Sequence, residues 1–441
     1  MSRNLPVNAG RIADDIEALA GITEPGHPWT RRAFSPLFLD GRAYIEARMK
    51  AAGLETRIDA AGNLIGRRTG RKPWLGTIMV GSHSDTVPDG GRFDGIAGVI
   101  SALEVARALV DQNIELDHDL EIVDFLAEEV SIFGVSCIGS RGMTGQLPEA
   151  WLSRVSDGRD LAEGIAEVGG RPDVLMQQNR PDIAGFLELH IEQGPMLEAE
   201  KEDVGIVTAI SGITRIEITV EGRADHAGTT PMDRRADALV AASQLVLDIR
   251  NAAAELAKTP GHFAATVGEF RIEPNAANVV PSKVVLLIDG RAEIRADMQA
   301  FCRWLDGHVE KLAGAYGVTI KTPNRVSDNQ PTPGDPGLLS ILEAACERVG
   351  AKHRRMASGA GHDMAWIAKV APAAMIFVPC REGRSHCADE WAENDDIALG
   401  AAVLFEAVRE MDKGLINRGL INRGLINRGL NQEKANGTHA R

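Results

Sequence analysis

The chain has 441 residues, a hydrophobic fraction of 44%, 46 glycines and a formal net charge of −14. That length predicts two domains rather than one core, and the acidic balance argues against a general nucleic-acid partner. The five cysteines (Cys137, Cys302, Cys346, Cys380 and Cys387) are scattered and form no CxxC pair, which predicts a reducing, cytoplasmic setting without a disulfide framework.

No run approaches about 18 uncharged apolar residues, so no membrane span is expected. The first residues lead into Asp14, Asp15 and Glu17 without an apolar signal region, so none is expected for secretion. From about residue 10 to 210 helix-like and strand-like segments alternate, as in a layered α/β domain. The helix-like runs include Arg42 to Ala52 and Ile96 to Val110; the strand-like runs are Thr77 to Val80, Leu120 to Leu126 and Gly185 to Leu189.

After Ser211-Gly212 the pattern changes. Ile216, Ile218 and Val220 alternate with polar residues, the period of a half-exposed strand. A helix-like stretch (Arg235 to Asn251), two strand-like runs (Ala264 to Ile272, Lys283 to Asp289), a helical recurrence of Met298, Phe301, Leu305, Val309 and Leu312, and a short Val318 to Lys321 follow. The order β-α-β-β-α-β is that of a ferredoxin-like sandwich. Residues 211–327 are therefore expected to be a small α+β domain inserted into a catalytic α/β domain made of 1–210 and 328–412. Pro331, Pro333 and Pro336 mark a linker back, Met375 to Val378 a last strand, and Asp396 to Met411 a closing helix. Residues 413–441 form a tail in which Gly-Leu-Ile-Asn-Arg occurs three times from Gly414 to Arg428. Its five-residue period matches no solenoid unit, and it is given no catalytic role.

Five residues of metal-ligand type stand where hydrophobic runs end or a helix begins: His83, Asp94, Glu129, His190 and His386. The carboxyl ends of strands are where α/β folds build their sites. Together the five have the chemistry for two divalent cations sharing one carboxylate, because a carboxylate can bridge and a neutral imidazole cannot. Asp85, two residues after His83, can accept the other ring N–H and fix the tautomer. Of Glu128 and Glu129, one can bind metal while the other handles the proton of an attacking water. His27, His118, His262, His308, His353 and His439 lack such a setting and are given no function.

The motifs Gly81-Ser82-His83-Ser84-Asp85-Thr86, Gly91-Arg92-Phe93-Asp94-Gly95, Glu128-Glu129, Leu189-His190-Ile191-Glu192-Gln193-Gly194-Pro195 and Asp225-His226-Ala227-Gly228-Thr229-Thr230-Pro231-Met232 resemble those of the dinuclear-metal amidohydrolases. That family includes N-carbamoyl-L-amino-acid hydrolases, allantoate amidohydrolases and β-ureidopropionases. The resemblance covers residues ~10–412. It implies a metallopeptidase-like catalytic domain with a mixed central sheet, an inserted lid or dimerisation domain, and a homodimer. It also implies that His83 and His190 bind one metal, Glu129 and His386 the other, and that Asp94 bridges them. Glu128 is then the general base, with Asp85 counted among the catalytic residues. His226 stabilises the oxyanion, Gln193 and Asn278 contact substrate, Arg291 grips a substrate carboxylate, and Gly361 lies in a glycine-rich substrate loop, Gly359 to Asp363. Aminoacylases and carboxypeptidases place a carboxylate where this chain has His190, which turns the expectation towards ureido bonds.

Three segments depart from the family pattern: Val130-Ser131-Ile132-Phe133 after the Glu pair, Asp289-Gly290-Arg291 with Arg295 close by, and Pro25 to Arg32. The expected activity is hydrolysis of a linear, non-peptide C–N bond in a small carboxylate such as an N-carbamoyl amino acid. The alternatives are an allantoate amidohydrolase, or an amide hydrolase of the aminoacylase or dipeptidase kind. The cofactors expected are two divalent ions, Zn²⁺ or Mn²⁺, with Co²⁺ also suited to these ligands. Because His226 and Arg291 belong to the small domain, its closure would complete the site.

Overall fold

The structure is a computed structural model and describes residues 5–415. It divides into two compact units: residues up to Thr208 with Gly334–Arg355 and the chain from His362 onward, and Ala209–Pro333 with Met356–Gly361. The inserted unit thus also takes six residues from after the expected linker. The repeat from Gly414 to Arg428 lies outside the described residues, apart from its first two.

The first unit is a mixed α/β layer built on one sheet. Its strands lie in the spatial order Glu55–Ile58, Leu64–Arg68, Asp119–Phe125, Thr77–His83, Ile183–Ile191, Ala373–Val378 and Val204–Ile210. The four from Asp119–Phe125 to Ala373–Val378 run parallel, and the outer ones antiparallel. Every residue of Thr77–His83, Asp119–Phe125 and Ile183–Ile191 is buried. Parallel strands covered on both faces read as unbroken apolar runs, which is why these were visible in the sequence. Helices Ile96–Asp111, Pro336–Val349 and Asn394–Glu410 join the strands in one apolar core. Pro336 opens a helix rather than serving a linker: a first helical position needs no N–H, and Asp335 caps it by accepting from the N–H groups of Gly337 and Leu338.

The second unit carries the ferredoxin-like order. Its strands lie as Phe263–Glu273, Lys283–Ala292, Gly212–Glu221 and Thr319–Ile320, with Asn324–Asp328 also on Gly212–Glu221. Lys283–Ala292 alternates buried and half-buried positions along its whole length. The buried face packs against helices Ala238–Leu256 and Arg295–Tyr316, as period-2 patterning requires. Asp237 caps the first helix through the N–H groups of Leu239 and Val240.

Candidate active site

His83 is the last residue of its strand, His190 the penultimate residue of the neighbouring one, and Glu128, Glu129 and His386 follow the ends of two more. All stand at one edge of the parallel sheet. Asp94 enters from the loop that starts helix Ile96–Asp111. At Gly95 (φ +66°) any Cβ would come 2.4 Å from the His83 ring, so only glycine lets this loop pass so close.

The side chains form two groups that share Asp94: His83, Asp94 and His190, and Asp94, Glu129 and His386, each with donor atoms within 4.8 Å of one another. His83 Nδ1 donates to the Asp85 carbonyl at 3.1 Å and His190 Nδ1 to the Ile191 carbonyl at 2.9 Å. Both tautomers are thereby set, with Nε2 as the acceptor nitrogen. These Nε2 atoms lie 3.5 and 3.3 Å from Asp94 Oδ1, and His83 Nε2 is buried without a hydrogen-bond partner. His190 Nε2 accepts the Gly95 N–H at 3.2 Å, but the unpartnered His83 lone pair repels the carboxylate unless a proton or a cation lies between. Burial opposes a charged His83, yet Asp85, Glu128 and Asp94 raise it well above the usual imidazole value. The pocket thus calls for positive charge, and its nitrogen and oxygen donors fit divalent zinc, manganese or cobalt. On the other side of Asp94, His386 Nε2 lies 2.9 Å from Glu129 Oε1 and 3.6 Å from Asp94 Oδ2. The hydrogen bond to Glu129 lifts His386 to about 9.

Glu128 and Glu129 do not lie on a strand. The strand ends at Phe125, and Ala127, just before the pair, is left-handed (φ 52°). Their direction is set by Asp85, whose two carboxylate oxygens accept the N–H groups of Glu128 and Glu129 at 3.2 Å each. The Asp85 side chain therefore holds the glutamate pair and also lies 3.4 Å from His83 Nδ1, whose N–H the Asp85 carbonyl accepts at 3.1 Å. Glu128 is 8% exposed. Burial, with the like charges of Glu129, Asp363 and Asp85, pushes its carboxyl well above the usual range. Gln193 reaches Asp94, its Nε2 donating to Asp94 Oδ2 at 2.6 Å.

In the second unit His226 is exposed, and its Nδ1 accepts the Gly228 N–H at 3.0 Å. The neutral ring then carries its proton on Nε2, as a donor must. The Asn278 carbonyl accepts the Ala227 N–H at 3.0 Å and ties down the same loop. Arg291 donates to Asp289 Oδ1 at 2.8 Å and to the Gly359 carbonyl at 2.6 Å, next to exposed Gly361. Arg295, the rival arginine, is committed to Asp328 through both guanidinium nitrogens. Gly290 is explained by Met298, whose methyl would lie 3.0 Å from a Cβ there.

Residues 79–410 match the Peptidase family M20/M25/M40. The chain belongs to this family. It is 36% identical over 409 residues to the N-carbamoyl-L-amino-acid amidohydrolase of Paenarthrobacter aurescens, covering 92% of this chain and 98% of that one. It is 35% identical over 410 residues to the allantoate amidohydrolase of Bacillus subtilis, covering 91% and 97%. Among solved structures, a hydantoinase/carbamoylase family amidase from Burkholderia multivorans superposes with a TM-score of 0.86 at 37% identity, covering 92% of this chain and 98% of that one. The resemblance read from the motifs is thus shown.

Several residues of this M20 chain reach the site without having been expected there. Glu390, 2% exposed, accepts the N–H groups of Phe93 and Asp94; burial and the nearby Asp94 push it up to about 7. Ser385 Oγ lies 2.7 Å from Asp94 Oδ2. Glu188 accepts from Ser82 Oγ and the Met364 N–H, and Asp363, the end of the expected substrate loop, accepts from Ser140 Oγ. Glu188 stands two residues before His190, the spacing that puts strand side chains on one face, and this was a readable signal. The segment Pro25 to Arg32 braces the site from behind: buried Arg31 donates to the Ser84 carbonyl at 3.1 Å, and Trp29 Nε1 to the Ala388 carbonyl at 3.0 Å. In Val130 to Phe133, Phe133 packs edge-on against Phe34.

Proposed function

We propose that this chain is a metal-dependent hydrolase of a linear, non-peptide C–N bond in a small carboxylate, with an N-carbamoyl-L-amino acid as the substrate. The observation that carries this reading is the pair of donor groups sharing Asp94 with buried Glu128 beside them. His83, His190 and Asp94 would hold one divalent ion, and Glu129, His386 and Asp94 a second. Bound there, the ions would supply Lewis acidity and acidify the attacking water.

The chain's own groups do the rest. Glu128 lies 3.7 Å from His83 Nε2; it takes the proton as the water oxygen bonds to the carbonyl carbon, and delivers it to the nitrogen as the C–N bond breaks. Its raised affinity for a proton suits both halves of that task. His226, protonated on Nε2, serves as donor to the developing oxyanion. Arg291 pairs with the substrate carboxylate, with Asn278 and Gly361 lining the same substrate. Gln193 holds Asp94 and offers its remaining amide oxygen, which is buried without a partner, to a substrate N–H.

Turnover of the Zn²⁺- or Mn²⁺-loaded enzyme on N-carbamoyl amino acids, allantoate, N-acetyl amino acids and dipeptides tests this reading. Activity confined to the last two would sink it. The likeness to the Bacillus subtilis allantoate amidohydrolase makes allantoate the second reading. No helix among the described residues is long and apolar enough to cross a membrane. Strand Phe263–Glu273 is paired along one edge only among the described residues, and we assign the other edge to a second copy. Sedimentation showing a monomer would remove that part.

A further inference from the structure

Asp94 presents its two oxygens differently. Oδ1 faces His83 and His190 at 3.5 and 3.3 Å, whereas Oδ2 faces His386 at 3.6 Å. Oδ2 lies 2.7 Å from the Ser385 hydroxyl and accepts from Gln193 Nε2 at 2.6 Å, and of these two only Ser385 is tied to the Asp94 backbone through a further group. Ser385 Oγ in turn meets Glu390 Oε2 at 2.8 Å, and Glu390 Oε1 accepts the backbone N–H groups of Phe93 and Asp94 at 2.8 and 3.0 Å. One buried carboxyl group therefore grips the Asp94 loop by its backbone N–H groups, and Ser385 Oγ, whose one proton can go to either carboxyl, sits between it and the Asp94 side chain. It sits close to Gly91, where a Cβ would come 1.8 Å from the Glu390 carboxyl carbon. The next residue, Trp391, packs edge-on against Phe93 at 5.4 Å and under the Arg92 guanidinium at 4.6 Å. The Gly91–Asp94 and Ser385–Trp391 segments are thus bound together by three hydrogen bonds and two ring contacts, and His386 follows directly on Ser385.

We infer that Glu390 and Ser385 are a positioning pair that aims Asp94 Oδ2 at the Glu129 and His386 group, so that the second cation position depends on a buried carboxylate that is not itself a ligand. The inference rests on the two-cation reading above. The two positions differ in what else supports them. His83 and His190 are each 1% exposed and anchored by backbone carbonyls. His386 has 46% of its side chain exposed and a left-handed backbone (φ 56°). Losing the aim of Oδ2 should therefore fall on one ion.

The test uses the full-length chain loaded with Zn²⁺ and titrated with a chelator, with bound metal counted and folding followed by circular dichroism. Ser385→Ala and the isosteric Glu390→Gln should each weaken the more loosely held ion by about ten- to a hundredfold and shift the tighter one by less than about threefold. On a His386→Ala background, where the second position has lost a ligand, Ser385→Ala should cost nothing further. An equal loss of both ions, a further loss on that background, or unchanged affinity in folded variants would overturn the proposal. A wild-type chain that binds no ion would overturn the two-cation reading instead, and this inference with it.

Discussion

His83 and His190 are almost fully buried and hang from strand ends by hydrogen bonds to backbone carbonyls, whereas His226 and Asn278 stand exposed on loops of the second unit. The first group is tied to the core: the sheet that excludes water also fixes the tautomers and crowds four carboxylates around two imidazoles. That crowding costs stability unless positive charge is present. The second group is held by a few local hydrogen bonds, such as Gly228 N–H to His226 Nδ1, so substitutions there should have little effect on folding. The difference teaches where change is tolerated. On the proposed reading, the metal-binding and proton-carrying groups belong to the core of the first unit, while His226, Asn278 and Arg291 are held on the second.

The sharpest way to break that division is Glu128→Gln, which keeps shape and removes the proton carrier. It should lower kcat by about 10²- to 10⁴-fold while the bound-metal count stays unchanged. Loss of an ion would place Glu128 among the ligands. In the second unit, His226→Ala should lower kcat by about 10²- to 10³-fold with KM little changed. Its melting temperature should match the wild type, because the ring is exposed. Full activity would remove His226 from the mechanism. Arg291→Ala comes next. A lost charge-assisted hydrogen bond of about 1.5–3 kcal/mol should raise KM for carboxylate substrates by roughly ten- to a hundredfold at nearly constant kcat. Arg295→Ala should leave KM alone, and the reverse pattern would exchange the two roles.

The same division marks what the sequence could tell. The ligand set was legible because its members follow apolar runs or, for Asp94, precede a helix, and buried parallel strands read as unbroken apolar runs. The second unit was legible because period 2 survives where one sheet face is wet: Ile216, Ile218 and Val220 are buried between half-exposed or exposed neighbours. Glu390 was not legible. Its partners are backbone N–H groups almost 300 residues away, and nothing local distinguishes it from a solvated Asp-Glu pair. The direction of Glu128 was hidden for a related reason, since it depends on a left-handed Ala127 and on Asp85 reaching the backbone of both glutamates. Strands Glu55–Ile58 and His353–Ser358 were missed because neither carries a buried alternating face along its length.

The smallest expected effect tests the second unit's own cohesion. Asp328 accepts from Arg295 and from Thr214 Oγ1, joining the start of helix Arg295–Tyr316 to strands Asn324–Asp328 and Gly212–Glu221. The hydrogen bond from Arg295 leads the causes that lower its carboxyl from 3.8 to about 2. A carboxylate whose folded value is depressed adds stability above its unfolded value and loses it as pH falls through the folded one. The stability gap between wild type and Asp328→Asn should therefore hold steady from neutral pH to about pH 4 and narrow from there towards pH 2. With 33% of the Asp328 side chain exposed, solvent screening keeps that gap to about 1 kcal/mol or less, and added salt should shrink it. A gap that widens on acidification would mean that the pair is not what holds this corner of the second unit, and that the Thr214 hydroxyl and the packing of Met298 suffice.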